Sequence, residues 1–294
     1  MARFLRRIDG KGWVGIALVA LVAFAALAAP VLAPHDPNAQ NMLAPVAPPA
    51  WSDGGTAAHL LGTDRLGQDV LSRIVYGARV SLLTALVAVA GSAALGTTLG
   101  LLAGYFGGWV AALIMRLVDI VLAVPFILLA LVFMTVFGPS LVNLVLAFVL
   151  ARWVQYTRIA YGLVLEMRER EFIQACVAGG LSHFDILFRH ILINVAGPLL
   201  VVATLELGFV ILMEAGLSFL GLGTPPEIPS WGGMLQEGRA LINIAWWLTT
   251  FPGLAIMLTV VGFNFLGDWL RDRLDPRTTV GASAVEDAAV PARS

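Results

Sequence analysis

Residues 166–194 read EMREREFIQACVAGGLSHFDILFRHILIN, the most polar long stretch of the chain, set between long apolar runs. Inside it, residues 168–178 and 183–190 carry short helical patterns that meet at Gly179-Gly180. A Gly-Gly pair releases the backbone from helical φ/ψ, as a turn between two helices requires. Ser182, with Asp185 three residues on, is a capping-box-like start for the second helix. Phe184, Leu187 and Ile191 then recur at helical spacing, and Asp185 and Arg189 stand four apart as an ion-pair candidate. A compact amphipathic helix pair between apolar spans has two readings. It is a docking surface for another protein, or a loop lying on lipid headgroups.

Composition fixes the solvent. Of 294 residues, 59% are hydrophobic and 13% charged, and mean hydropathy is +0.87. Soluble domains average about 45–50% apolar and about 25% charged, so this chain belongs in a bilayer, in contact with lipid. Basic residues are few and scattered, which gives nucleic-acid binding no support. Lys11 is the only lysine and Gly12 follows it, so no phosphate-binding Gly-x-x-x-x-Gly-Lys-Ser/Thr loop exists. If ATP drives this protein, another chain binds it. His35, His59, His183 and His190 show no HExxH or paired spacing, so the sequence points to no metal site. No Gly-x-Ser-x-Gly elbow occurs, and catalytic residues are not expected. The single cysteine, Cys176, excludes an intrachain disulfide and reads as a small helix-packing residue.

Outward from the loop, the apolar runs predict six transmembrane helices in an all-α membrane protein. Residues 1–12 carry Arg3, Arg6, Arg7 and Lys11 ahead of an apolar run at 13–33. A signal peptide competes for that run, but its length exceeds an h-region of about 7–15 residues and suits a span of about 20. Residues 34–78 form an outer segment, with a short amphipathic helix expected at 66–76 and ended by Gly77. No charge occurs between Arg79 and Arg116, a length that exceeds one span, and the Gly104-Tyr105-Phe106-Gly107-Gly108 cluster supplies the break. Further spans are expected at about 80–104, 110–136, 141–162, 195–216 and 246–267. Between the last two, Pro225-Pro226, Pro229 and several glycines rule out a regular span and suggest a re-entrant or outward scoop. Trp231, Trp246 and Trp247 are expected as interfacial anchors. Residues 269–294 are read as a polar tail.

With the first end in the cytoplasm, twelve basic residues fall inside: Arg3, Arg6, Arg7, Lys11, Arg158, Arg168, Arg170, Arg189, Arg271, Arg273, Arg277 and Arg293. Four fall outside: Arg65, Arg73, Arg79 and Arg239. The excess predicts both termini and the 166–194 loop in the cytoplasm. Charges inside spans are costly and functional by default. Arg116 and Asp119, three apart, could satisfy each other. Arg152 and Glu206 each fall about eleven residues into a span, near mid-membrane, and pairing between their helices is one reading. The other has Arg152 reaching the interface and Glu206 meeting a partner subunit. Glu214, at a helix end, reads on its own as a carboxylate reaching water.

Three motifs in order carry a resemblance. Residues 59–82, HLLGTDRLGQDVLSRIVYGARVSL, resemble the signature LGTD-x-x-GRD-x-x-SR-x-x-x-GAR-x-SL, with Gln68 for the usual Arg. The central loop resembles the EAA loop through Gln174, Ala175, Cys176, Gly180, Ile191 and Ile193, departing at Gln174 for Glu, Cys176 for Ala and Ile193 for Pro. The stretch EAGLSFLGLGTPPEIPSWGGMLQEGR, then FPGLAIMLTV and GDWLRDRLDP, completes the set. The chain resembles ABC importer permeases of the dipeptide, oligopeptide and nickel family, inner-membrane components of binding-protein-dependent transport. The resemblance implies the type I permease fold, with the core transport domain at 79–268. It implies a coupling-helix loop between the fourth and fifth helices. The implied partners are a second homologous permease in a heterodimer, two ATPase subunits or domains that use ATP and Mg, and an extracytoplasmic substrate-binding protein. The location implied is a bacterial inner membrane, and the cargo peptides, with nickel or another small solute as the alternative. Gln174, Ala175, Gly180, Ser182, Phe184, Asp185, Leu187 and Arg189 would dock the ATPase, Phe184 and Leu187 filling its groove. Glu214, Ser218, Pro225 and Trp231 would lie on the binding-protein side. An ion-driven secondary transporter or a membrane scaffold are the readings from other classes.

Overall fold

The computed structural model describes residues 9–274, so Arg3, Arg6, Arg7, Arg277 and Arg293 lie outside the described residues, with most of the tail. Helix α1 spans Gly10–Leu27, its N-terminus capped by the Asp9 carboxylate, which accepts from the Gly12 amide at 3.1 Å. The expected single span at 13–33 is broken at Ala28, and a short α2 follows at Ala29–Leu32. Pro30 is the physical reason, because it has no N–H to continue the ladder into the preceding turn.

Helix α3 begins inside the expected 34–78 segment and runs unbroken from Val70 to Phe106. The expected short helix at 66–76 and span at 80–104 are therefore one element, and Gly77 does not end a helix. Gly77 makes room instead: a Cβ there would meet the Trp231 ring at 2.9 Å. Gly96, Gly100 and Gly104 repeat every four residues and let α3 press against α6, Leu141–Arg168. A Cβ at Gly96 would sit 2.1 Å from the Trp153 carbonyl oxygen. The helix stops at Gly107, whose φ of +64° suits glycine.

The span expected at 110–136 is two helices, α4 Gly108–Leu122 and α5 Phe126–Phe137, bent by 84°. Pro125, which pushes Val124 out of helical φ/ψ, accounts for the break. Helix α7 covers Glu171–Ala178. Beyond Gly180 one continuous helix runs His183–Phe219: α8 His183–Asp185, a π turn Ile186–Ile191, and α9 Leu192–Phe219. The scoop holds α10, Trp231–Gly238, and α11 spans Trp247–Leu274, past the expected start of the tail.

Among the described residues, α1, α3, His183–Phe219 and α11 are long and apolar enough to cross a membrane, and the bent α4–α5 pair gives a fifth crossing if counted as one. Helix α6 has the length, but Arg152, Gln155 and Arg158 lower its apolarity. The main core gathers α3, α6, α9 and α11 around Phe148, Tyr156, Ile186, Ile191, Ile211 and Phe263.

Candidate functional site

At one end of the helices, α6 runs out to Arg168, whose Nη1 donates to the Gly104 carbonyl at 3.2 Å and so ties the ends of α3 and α6. From this base α7 projects with Ile173 buried and Phe172, Gln174, Ala175 and Val177 exposed. It closes in a Schellman motif: the Leu181 amide donates to the Cys176 carbonyl at 3.1 Å, and the Gly180 amide to the Val177 carbonyl at 3.0 Å. Gly180 takes the left-handed conformation, φ +72°. Ser182 caps the next helix, accepting from the Asp185 amide at 3.1 Å while its hydroxyl donates to Asp185 Oδ2 at 2.6 Å. Asp185 pairs with Arg189 at 3.1 Å, and Tyr105 bonds the His183 ring at 2.8 Å.

The loop departs from expectation in two respects. The second short helix is not free-standing but the first turns of the long helix that ends at Phe219. Leu187 is only 3% exposed and packs in the protein's own core with Ile186 and Ile191, so it is not offered to a partner groove. Both residues lie in the π turn Ile186–Ile191, whose i→i+5 bonding changes the angular spacing of side chains from the α-helical one. Phe184 is 67% exposed, its ring 4.6 Å from that of Phe188. The exposed face thus includes Phe172, Gln174, Ala175, Val177, Leu181, Phe184 and Arg189.

Within the helices, Arg152 and Glu206 meet in a two-point ion pair, Nε to Oε2 at 2.9 Å and Nη2 to Oε1 at 2.5 Å. The guanidinium also lies 4.3 Å from the Phe209 ring centroid, a cation–π contact. Arg116 and Asp119 are both exposed, and no ion pair joins them. Glu214 does not reach water. It is 1% exposed, bonded by Ser81 at 3.2 Å and Ser218 at 2.8 Å, which links α3 to α9.

At the opposite end, Arg73 is buried among Asp64, Gln68 and Glu237, donating to Glu237 Oε2 at 3.0 Å. This cluster joins the outer segment, α3 and α10. Ser218, Pro225, Gln236 and Glu237 line a cavity of about 130 Å³ beside it. Trp231 and Trp247 are buried, not interfacial. Trp231 donates to the Ile74 carbonyl at 2.9 Å and Trp247 to that of Thr63 at 3.3 Å, while Trp246 stays exposed. Sequence spacing also missed a grouping of His35, His59 and Asp69, whose side chains converge although they are far apart in the chain. Asp64 and Gln68 precede Arg73 within one motif, so that part was readable; Glu237 lies 164 residues away and nothing local marks it.

An apolar helical array of this length, with one exposed, capped polar loop and a charged cluster at its far end, has the build of a multi-pass membrane protein. The chain matches the family of binding-protein-dependent transport system inner membrane components over residues 96–280, and it belongs to that family. It is 47% identical over 264 residues to the dipeptide transport system permease protein DppC of Escherichia coli (strain K12), covering 90% of this chain and 88% of that one. It is 43% identical to the di/tripeptide transport system permease protein DppC of Pseudomonas aeruginosa (strain UCBPP-PA14), over 90% of this chain and 87% of the relative. Against the dipeptide transport system permease protein DppC of Haemophilus influenzae the identity is 41%, over 90% of each chain.

Proposed function

We propose that this chain is a permease subunit of an ATP-driven ABC importer of di- and oligopeptides, forming half of the translocation path. The observation that carries the reading is the 41–47% identity to dipeptide permeases over 90% of the chain. Those relatives favour peptides over nickel as cargo. In this reading α6, with its Arg152–Glu206 pair, also crosses, fourth of six in chain order, and residues 79–268 make the transport domain behind an outer segment at 34–78. The bent α4–α5 pair counts as one crossing, and both termini share the cytoplasmic side with the 166–194 loop.

The loop docks on an ATPase subunit through α7 and the start of the following helix. Gln174, Ala175, Phe184 and Arg189 make the contact surface, and Gly180 and Ser182 with Asp185 hold its shape. The chain converts one rigid-body motion into another: closure of the ATPase pair moves the loop, and the continuous His183–Phe219 helix carries that motion to the outer end. There Glu214, Ser218, Pro225 and Trp231 stand near the binding-protein side. Partners are a second permease, two ATPases that use ATP and Mg, and a substrate-binding protein, in a bacterial inner membrane.

The test is uptake of a labelled dipeptide by cells lacking this chain, with and without the restored gene. Restored uptake that survives collapse of the membrane potential while ATP persists is expected. Uptake lost with the potential overturns the ATP-driven reading, and absence of any peptide uptake overturns the cargo.

A further inference from the structure

We propose that His35, His59 and Asp69 form a binding site for a borderline divalent transition-metal cation, zinc foremost, where the outer segment meets the N-terminus of α3. One ligand atom from each lies within 4.8 Å of the other two. His59 Nδ1 is 2.9 Å from Asp69 Oδ1, and His35 Nδ1 is 3.8 Å from the same oxygen. Ligands about 2.0–2.1 Å from a tetrahedral zinc stand about 3.3–3.4 Å apart, so each imidazole–carboxylate spacing lies within about half an ångström of that geometry. The two imidazoles close on each other by rotation of the half-exposed His35 side chain. The two imidazole ring centroids lie 4.8 Å apart at a 35° tilt, and the nearest ring nitrogen of each to the carboxylate is Nδ1.

The carboxylate is held for this task. Its second oxygen, Oδ2, accepts from the Ser72 amide at 2.8 Å and the Ser72 hydroxyl at 2.7 Å, leaving Oδ1 for the imidazoles. Such outer hydrogen bonds orient metal ligands. The Asp69 side chain is fully buried, while His35 is 39% exposed. His35 also lines an open cavity of about 550 Å³ with Asp36, Asn38 and Tyr76, so a hydrated ion has a way in. Two imidazole nitrogens and one carboxylate oxygen suit zinc, nickel or copper rather than calcium or magnesium, and leave a fourth position for water. A bound ion would fasten residue 35, just past α2, to the residue that caps α3, closing the outer segment as a loop.

The competing account is a plain His59–Asp69 hydrogen bond with His35 merely nearby. Zinc titration of the chelator-stripped full-length protein, purified with whatever subunits accompany it, separates the two. Wild type should bind one more zinc per chain than His35→Ala, or bind it at least about tenfold more tightly. His35→Cys keeps a ligand and should retain the zinc, and His190→Ala, at the other end of the molecule, should behave as wild type. Zinc should raise Tm for wild type and His35→Cys but not for His35→Ala. Equal zinc binding by wild type and His35→Ala overturns the site, as does loss in His35→Cys as complete as in His35→Ala.

Discussion

At Gly180 an added Cβ would meet nothing within 4 Å, so only its φ of +72° demands glycine. That separates conformation from crowding. A β-branched residue there costs about 1–2 kcal/mol of backbone strain, whereas asparagine visits this region readily. Gly180→Val should cut peptide uptake and uncouple it from ATP hydrolysis while membrane insertion stays normal, and Gly180→Asn should keep most of the activity. Uptake assays with quantitative membrane immunoblots check both. The Arg152–Glu206 pair offers a second residue-level test, since each side chain is about 15% exposed or less. Removing one partner leaves a desolvated charge and should cost on the order of 3 kcal/mol. Arg152→Met with Glu206→Met together should cost less than the two single changes added, read as detergent-solubilised stability in a double-mutant cycle. Simple additivity would mean the pair carries no coupling.

At the scale of elements, the α3–α6 contact depends on glycine. A Cβ at Gly100 would lie 2.6 Å from the Ala160 Cβ and 2.7 Å from the Thr157 carbonyl oxygen. Gly100→Val should therefore lower stability by at least about 1–3 kcal/mol, visible as a reduced Tm in detergent. Gly162→Val on α6, with nothing within 4 Å of the added Cβ, is the control. In the sequence Gly104 reads as part of a break, and the Gly96, Gly100, Gly104 spacing passes unmarked, because the partner that makes it a packing stripe is α6, far along the chain. The loop's caps were legible because they are local: Ser182, Asp185 and Gly180 act within a few residues. The fate of Leu187 was not, since a π turn shifts the helical phase and no spacing rule anticipates it. Pro125 and Pro30 were readable signals of the breaks they make, outweighed by the apolarity around them.

For the whole molecule, hydropathy was enough to place the chain in a bilayer and to find most of its long helices. The ties between them were less legible. Arg73 with Glu237, Trp247 with Thr63, and Ser81 with Glu214 are each separated by more than a hundred residues. Sequence periodicity carries no information on such pairs, so Trp231 was expected at the membrane interface and Glu214 in water, and both are buried. Two of these ties fasten residues 63–73 to α10 and α11. In the proposed importer the exposed loop at 166–194 meets an ATPase. Affinity purification of the tagged chain from its native membranes, with mass-spectrometric identification of partners, tests it most directly. Stoichiometric recovery of a second permease and ATPase subunits is the predicted result. Recovery of this chain alone, in a detergent that preserves other membrane complexes, would contradict it.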